Sequence, residues 1–199
     1  MSFRIEEKLH VDKYKLTTFK DWLYKNGGYS LYDSRTVSST YFDNRTKDMF
    51  HDSEEGCVPR KKIRVRSYSL GEHKIESSTL ETKISSIEGR YKIKEKNFNL
   101  NKIMKIGVID NNYGVCKPIV RVTYDREYFM LFGVRITIDR NIRYKSLDSM
   151  LVEVRDPGGV AVEIKANYQT SAEYLIRKFP FHRIRLSKYN NAINILNIQ

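Results

Sequence analysis

Basic side chains recur at every second position in several short segments of this chain. In the densest segment, residues 60–68, Lys62, Arg64 and Arg66 would share one face of a β-strand, because side chains two residues apart point to the same side. The guanidinium groups of Arg64 and Arg66 would then lie about 7 Å apart. Each of them can hold a phosphate through two parallel hydrogen bonds. The segment therefore predicts a strand that binds neighbouring phosphates.

Other segments alternate charged and apolar residues in the same way. Their polar faces would carry Arg4, Glu6, Lys8 and His10; Glu81 and Lys83; Tyr124 and Arg126; Arg135, Thr137 and Asp139; and Glu163 and Lys165. A single basic segment could also be an exposed edge strand, where lysine and arginine deter aggregation. The recurrence of basic faces favours strands whose polar faces meet around a polyanion and its metal ions.

Carboxylates occur in these segments two residues from a cation, as Glu6, Glu81, Asp139 and Glu163. On an exposed sheet such pairs would be salt bridges of little energetic value. Inside a closed barrel they would need a cation or a metal ion. Mg²⁺ or Mn²⁺ bound to phosphates uses oxygen ligands and only one or two protein carboxylates. Glu163 is the first candidate for the metal ligand, and Glu6 and Glu81 are alternative candidates for a metal ligand or a base.

Two further pairs of side chains could bind a phosphate. The phenol of Tyr124 and the guanidinium of Arg126 share a face and can orient a phosphate together, although Tyr124 could equally pack on the stem of Arg126. Ser187 and Lys188 open the last predicted helix. A hydroxyl, an ammonium group and a helix N-terminus together favour an anion.

The composition predicts one folded domain, residues 1–199, with an anionic partner. Hydrophobic residues make up 40% of the 199 residues, and 36 lysines and arginines against 24 aspartates and glutamates give a net charge of +12. Such a charge favours a polyanion as the partner: polyphosphate, a nucleotide, nucleic acid or an anionic membrane.

The two cysteines are isolated, and no apolar leader or stretch of ~20 apolar residues occurs, so we expect a soluble, cytoplasmic protein.

The elements that must position these residues are mostly strands. Strands are predicted near residues 3–11, 38–43, 60–69, 75–84, 118–131, 134–142, 150–154 and 160–165. Helices are predicted over 15–25, 97–106, 171–178 and 186–196, with a loop or short helix over 45–55 and no assignment for 90–96. Turns at Gly71, Gly133 and residues 156–159 predict hairpins. The fold class is therefore α+β, an eight-stranded antiparallel β-barrel with flanking helices.

The order of these segments along the chain resembles that in the VTC domain. This is the polyphosphate polymerase domain of the vacuolar transporter chaperone proteins and of free-standing bacterial relatives. That domain belongs to the triphosphate tunnel metalloenzymes, the CYTH-like superfamily. The matching segments are Arg4-x-Glu6-x-Lys8, 39–43, 62–68, 80–83, 118–129 with Tyr124-x-Arg126, 135–139, 162–165 and 187–189. The wider superfamily opens with Glu-x-Glu-x-Lys. The Arg4 form fits the VTC branch and argues against a thiamine triphosphatase or an adenylate cyclase.

The resemblance implies an eight-stranded tunnel in which the triphosphate of ATP binds with Mn²⁺ or Mg²⁺. The γ-phosphoryl group would pass to pyrophosphate or to a growing inorganic polyphosphate chain, releasing ADP. The implied site residues are Lys8, Arg64, Arg66, Lys83, Arg126, Arg135 and Lys188 for phosphates, Tyr124 and Ser187 for positioning, Lys62, Lys92 and Lys165 as further phosphate contacts, and Glu163 for the metal. After Lys83, Arg90, Lys92 and Lys94 only loosely replace the compact basic cluster expected of the family.

Fungal members of that family add a phosphate-sensing domain and a membrane domain, and neither is present in these residues. A separate membrane partner protein could therefore hold the chain at the inner face of a membrane.

Two other functions remain open from the sequence. A tunnel of this kind could hydrolyse tripolyphosphate or a nucleoside triphosphate, with water activated by a metal ion or by a carboxylate such as Glu6 or Glu81. The chain could also be a non-catalytic module that binds polyphosphate or nucleic acid. No recognition helix and no aromatic sheet motif of the RNA-binding kind occurs, so we expect no specific nucleic-acid partner.

Overall fold

A curled antiparallel sheet forms most of the structure, a computed structural model that describes residues 4–70, 74–87, 89–147, 153–167 and 169–198. Its strands are β1 (Arg4–Leu9), β2 (Tyr29–Asp43), β3 (Arg60–Leu70), β4 (Lys74–Ser86), β5 (Gly89–Glu95), β6 (Val108–Asp110), β7 (Gly114–Leu131), β8 (Val134–Ser146), β9 (Glu153–Arg155) and β10 (Val160–Asn167). Eight of them are hydrogen-bonded in the order β1-β10-β8-β7-β2-β3-β4-β5, while β6 pairs with β7 and β9 with β8. This confirms the predicted fold class.

Helices flank this sheet. Within the described residues they are α1 (Leu16–Lys25), α2 (Asp48–Glu55), α3 (Leu100–Ile106), α4 (Ala172–Lys178) and α5 (Lys188–Ile195), with a 3₁₀ turn (Lys13–Lys15) before α1. Asn99, Ser171 and Ser187 cap α3, α4 and α5, because each side chain accepts a hydrogen bond from a backbone N–H of the first turn. None of the helices in the described ranges combines the length and the hydropathy that a membrane span requires.

The structure differs from the sequence prediction in β2 and β5, in the unpredicted strand β6, and in the longer extents of β7 and β8. β2 begins at Tyr29 rather than near residue 38. The sequence pattern does not reveal its first part, because the pairing with β7 shifts register between Ser30 and Arg35 and the alternation of apolar and polar residues is lost there. Of residues 90–96, for which the sequence predicts no element, residues 90–95 form most of the edge strand β5. The turn predicted at Gly71, the start of the strand predicted at 150–154, and Phe3 lie outside the described residues, as does the side chain of Arg4.

The charged side chains lie on the concave face of the sheet. Lys83 of β4 contacts Glu6 of β1, with 2.7 Å between Nζ and Oε2, although β10, β8, β7, β2 and β3 lie between those strands in the hydrogen-bonded order. A flat sheet could not bring these two side chains together. Strand alternation then places the neighbouring apolar side chains on the convex face.

The main apolar core covers the convex face. One buried cluster joins the sheet to α1 and α4 and includes Phe19, Leu23, Ile136, Ile138, Val162, Ile164, Leu175 and Phe179. A second cluster packs α3 and β6 against Phe42, Ile63, Val65 and Leu80. The helices therefore bury the outer side of the sheet and leave its inner side to the charged residues.

Helix α5 is placed differently, on the concave face. Tyr189, Ala192 and Ile193 pack against Tyr41, Val120 and Val122, and Tyr41 lies directly opposite Arg64 in the β2–β3 pair. The rings of Tyr41 and Tyr189 stack with 5.1 Å between their centroids. One end of the concavity is thus filled by apolar side chains, and the N-terminus of α5 begins where the charged residues start.

The packing of α4 on the convex face predicts that two adjacent residues of this helix contribute differently to the free energy of unfolding. Leu175 is fully buried, whereas Ile176 is 59% exposed. We expect Leu175→Ala to lower the free energy of unfolding by about 2–4 kcal/mol through lost burial and a cavity, and Ile176→Ala to change it by about 0.5 kcal/mol or less. Urea unfolding measures both. Equal losses would contradict the packing described for α4.

Candidate functional site

Glu81 is the centre of one group of charges. Its Oε2 lies 2.8 Å from Nε and 2.6 Å from Nη2 of Arg64, and 3.6 Å from Nη1 of Arg66, while its Oε1 accepts from Nζ of Lys92 at 2.9 Å. Arg64 and Glu81 are direct partners in the β3–β4 pair. Burial would raise the pKa of Glu81, but Arg64, Arg66 and Lys92 hold it well below its usual range. The carboxylate therefore stays ionised and fixes three cations.

The two guanidinium groups also have polar partners on β2 and β7. Arg64 donates to the Tyr41 hydroxyl at 3.0 Å, and Arg66 donates to Ser39 Oγ at 3.3 Å and to the Tyr124 hydroxyl at 3.4 Å. Burial would raise the pKa of Tyr41, but the charge of Arg64 lowers it overall. The sequence interpretation gave no role to Tyr41 or Ser39. Their positions opposite Arg64 and Arg66 could be found only once β2 was paired with β3.

Asp139 organises a second group. Its carboxylate accepts from Nε and Nη2 of Arg126 at 2.6 and 2.8 Å, and from Nζ of Lys188 at 2.6 Å. Arg126 and Lys188 both lie over the ring of Tyr124, 5.1 and 4.8 Å from its centroid. Burial opposes ionisation, yet Lys188 and Arg126 keep the pKa of Asp139 far below its usual range. Tyr124 thus links this group to Arg66.

A third group surrounds Lys165. Its Nζ lies 3.6 Å from Oε1 of Glu6 and 3.5 Å from Oε2 of Glu163, and Glu6 also contacts Lys83. Glu163 stands directly opposite Lys8 on β1 and Thr137 on β8. Burial would raise the pKa of Glu6, but Lys83 and Lys165 lower it to about 2.

Positive charge is nevertheless in excess on the inner face. Lys62, Lys83 and Lys92 occupy the same position across the neighbouring strands β3, β4 and β5. Burial lowers the pKa of Lys62, and Lys8 and Lys83 lower it further, to about 7. Burial likewise lowers the pKa of Lys8 to about 8, against the attraction of Glu163. A bound polyanion would relieve this repulsion.

Lys62 and Lys8 are held at the start of α5. Lys62 Nζ donates to Ser187 Oγ and to Asn190 Oδ1, each at 2.8 Å, and Lys8 donates to the carbonyl of Leu186. Ser187 therefore both caps the helix and contacts a site lysine. The sequence interpretation did not include Asn190, which is buried.

Two inward polar atoms have no hydrogen-bond partner in the described part of the chain. They are Nε of Arg135 and Oγ1 of Thr137, and both are buried. Arg135 lies directly opposite Lys165, and Thr137 directly opposite Glu163. A buried donor without a partner costs free energy unless a ligand or water satisfies it. These two atoms therefore mark the side of the concavity that suits an anionic, hydrated ligand.

The surroundings of Glu163 fit a divalent cation better than those of the other carboxylates. Both oxygens of Glu81 and of Asp139 already contact cations. Within the part of the chain that the structure describes, Glu163 has one ion pair, a 3.5 Å contact with Lys165; it lies near Glu6 and is directly opposite Thr137, whose hydroxyl has no partner there. Among the described residues no three acidic, histidine or cysteine side chains cluster. A cation here would need phosphate oxygens to complete its shell, as Mg²⁺ commonly does.

The structure brings all the predicted site residues to one concave face. Those on strands are Glu6, Lys8, Lys62, Arg64, Arg66, Glu81, Lys83, Lys92, Tyr124, Arg126, Arg135, Glu163 and Lys165, and Ser187 and Lys188 join them from the start of α5. Their individual roles stay predictions.

Comparison with known proteins identifies related sequences and folds. A family model of the VTC domain matches residues 3–197. A search of curated protein sequences finds no match.

Two of the solved structures that match illustrate the shared fold. A Vibrio parahaemolyticus protein designated an adenylate cyclase is 15% identical, with a TM-score of 0.56 over 96% of this chain and 97% of that chain. HpAC1 from Hippeastrum, named as an adenylyl cyclase with a dominant triphosphatase activity, is 14% identical, with a TM-score of 0.53 over 98% of this chain and 96% of that chain. At such identities the similarity shows the fold alone.

The lowered pKa of Lys62 predicts a pH-dependent effect of removing it. The folded-state pKa is about 7 and the free side chain has 10.5. Between these values the unfolded chain holds a proton that the folded chain lacks, so this lysine makes the parent protein more stable as the pH rises. Below the folded pKa its destabilising effect is fully present.

We therefore expect Lys62→Met to gain stability relative to the parent near neutral pH and to lose that advantage as the pH approaches the ordinary lysine value. Urea unfolding across this range measures the difference. Lys105→Met, at an exposed lysine on α3, is the matched control. A difference between parent and Lys62→Met that does not change with pH would show that Lys62 carries its proton equally in both states.

Proposed function

The chain belongs to the VTC domain family, and we propose that it is a polyphosphate polymerase. It would transfer the γ-phosphoryl group of ATP to a growing inorganic polyphosphate chain and release ADP. The observation that carries the proposal is the concave face itself, where arginines and lysines in excess are oriented by buried carboxylates.

Phosphoryl transfer depends on alignment and on neutralising charge more than on a covalent nucleophile. Arg64 and Arg66 are fixed by Glu81, and Arg126 and Lys188 by Asp139. Such pre-oriented donors stabilise the transferring group without reorganising during the reaction. In this proposal Arg64, Arg66 and Arg126 hold the triphosphate, while Lys8, Lys83 and Lys188 neutralise the charge that builds on its oxygens.

The state of the carboxylates favours a phosphate acceptor over water. A general base works best with a pKa near the working pH. Glu6 has a pKa of about 2 and Glu81 lies lower still, so both are weak bases held by cations. A terminal phosphate needs no such base, because it is already ionised at neutral pH. We therefore assign Glu81 to the orientation of Arg64, Arg66 and Lys92 rather than to a metal or to proton transfer.

Mn²⁺ or Mg²⁺ would neutralise and align phosphate oxygens when bound. Glu163 would hold the cation, with Glu6 beside it and the hydroxyl of Thr137 opposite. Lys165, between the two carboxylates, would keep them close before the cation arrives and could then turn to a phosphate.

A second candidate is hydrolysis of tripolyphosphate or a nucleoside triphosphate in the same concavity. The Hippeastrum protein of similar fold, named as an adenylyl cyclase, is described as having a dominant triphosphatase activity. Water would then replace the phosphate acceptor, and the lowered pKa values of Glu6 and Glu81 disfavour these carboxylates as its base. The membrane partner, the cytoplasmic location and the single-domain organisation remain predictions.

Purified protein with ATP and Mn²⁺ should produce a ladder of polyphosphate on a stained gel. Arg64→Ala should lower the catalytic efficiency by about 2–4 kcal/mol of transition-state stabilisation, because one fixed donor is lost. Arg155→Ala, at an exposed arginine on β9, serves as control and should behave as the parent. Orthophosphate without chains would favour the hydrolase. Unchanged activity in Arg64→Ala would place the reaction elsewhere.

Glu163→Gln should weaken metal activation specifically. We expect the metal concentration for half-maximal activity to rise at least about tenfold, since the charged ligand is lost. Titration of Mn²⁺ at fixed ATP measures this shift. Glu153→Gln, at an exposed glutamate on β9, is the matched control. An unshifted titration, with activity lost only in maximal rate, would exclude Glu163 as the metal ligand.

A further inference from the structure

Basic residues continue along the inner face of β3, β4 and β5 beyond the groups already described. Arg60 lies two residues before Lys62 on β3, and Arg90 lies two residues before Lys92 on β5, with Ser85 of β4 between them. These three residues form an outer row next to the row of Lys62, Lys83 and Lys92. From Arg66 to Arg60 the basic face of β3 extends roughly 20 Å.

Arg185 reaches the same place from the segment before α5. Arg60 donates to the carbonyls of Gly56 and Cys57 at 3.2 and 2.7 Å. Arg185 donates to the carbonyls of Ser53 and Glu54, the latter at 3.1 Å. Both guanidinium groups are therefore anchored on the C-terminal end of α2, where the helix dipole favours cations.

The outer cluster is defined as Arg60, Arg90 and Arg185, and in the ranges that the structure describes its hydrogen bonds go to backbone carbonyls and none to a carboxylate. Burial lowers the pKa of Arg60, and the charges of Arg90 and Arg185 lower it further against the weaker attraction of Asp52, so Arg60 lies close enough to both arginines to be repelled by them. Within the concavity, by contrast, Glu81 and Asp139 each compensate two or more cations.

The outer cluster adjoins the concavity through the strand register. Arg60 and Arg90 are two residues from Lys62 and Lys92 on the same strands, and Arg185 donates to the backbone carbonyl of Glu54, whose carboxylate accepts from the Asn190 amide beside Lys62. Because of this register, an anion leaving Lys62 and Lys83 would meet Arg60 and Arg90 next. A triphosphate covers only part of the basic face, and a longer chain is needed to reach the outer row.

We propose that the outer cluster is a second binding site, which holds the part of a linear inorganic polyphosphate chain that extends out of the concavity. The inference rests on the proposed function for the identity of its ligand, but it adds a site specific for long chains. It would retain the growing chain between successive transfers and so increase product length.

The side-chain pattern of β5 favours polyphosphate over a nucleic acid. Tyr91 and Ile93 alternate with Arg90, Lys92 and Lys94, so they belong to the opposite face of the strand. The basic face thus offers cations to phosphates and, in β5, no ring on which a base could stack. Single-stranded nucleic acids usually require such aromatic platforms.

The test compares two inorganic ligands on the same variants. Binding of tripolyphosphate and of long-chain polyphosphate is measured by calorimetry for the parent, Arg90→Glu, Arg185→Glu and the control Arg155→Glu. We expect Arg90→Glu and Arg185→Glu to weaken long-chain binding by about fivefold to tenfold and to leave tripolyphosphate affinity unchanged. Arg155→Glu should change neither. Unchanged tripolyphosphate binding also shows that the variants are folded.

Three results would overturn the proposal. The first is an equal loss of affinity for tripolyphosphate and for long-chain polyphosphate. The second is a loss of long-chain affinity in Arg155→Glu as well. The third is full long-chain affinity in both Arg90→Glu and Arg185→Glu. Single-stranded RNA that competes as well as polyphosphate at the same salt concentration would show a general polyanion surface instead. If ATP yields no chains but long-chain binding depends on Arg90, the polymerase proposal fails and the outer site stands.

Discussion

Uncompensated positive charge on the concave face is the constraint on which the rest of this structure depends. Burial makes each charged group costly, and neighbouring lysines add repulsion, as the lowered pKa of Lys62 shows. Glu81 and Asp139 offset part of that cost by contacting several cations each. The remaining excess leaves the site prepared for a polyanion, whose binding would itself stabilise the fold.

The position of the apolar core follows from this constraint. A concave face filled with charge cannot serve as a core, so the sheet buries its convex face instead, under α1, α4 and α3. Helix α5 is placed inside because its apolar side covers the uncharged end of the concavity. The same helix presents Ser187 and Lys188 to the charged end, and it therefore joins the packing of the protein to its chemistry.

Rigid orientation of cations gives the site its chemical character. Each carboxylate of the inner face contacts at least one ammonium or guanidinium group, and low pKa values make Glu6 and Glu81 poor bases. The arrangement suits stabilisation of negative charge by fixed hydrogen-bond donors better than proton transfer by an acid–base pair. Glu163 and Thr137 differ because their oxygens keep bonding capacity, which is why the metal is proposed there.

Strand alternation is a local property, so the amino-acid sequence is sufficient to predict which residues share a face: Arg64 with Arg66, Tyr124 with Arg126, and Glu163 with Lys165.

Which faces meet depends on how the strands pair and curl. The contacts of Lys83 with Glu6, Lys62 with Ser187 and Arg64 with Tyr41 join residues distant in the chain, and they depend on the curl and register of the sheet. No local pattern encodes that curl, since it arises from strand pairing and from the helices packed on the convex face. For the same reason β5 and the first half of β2 were recognised only when paired with their neighbours.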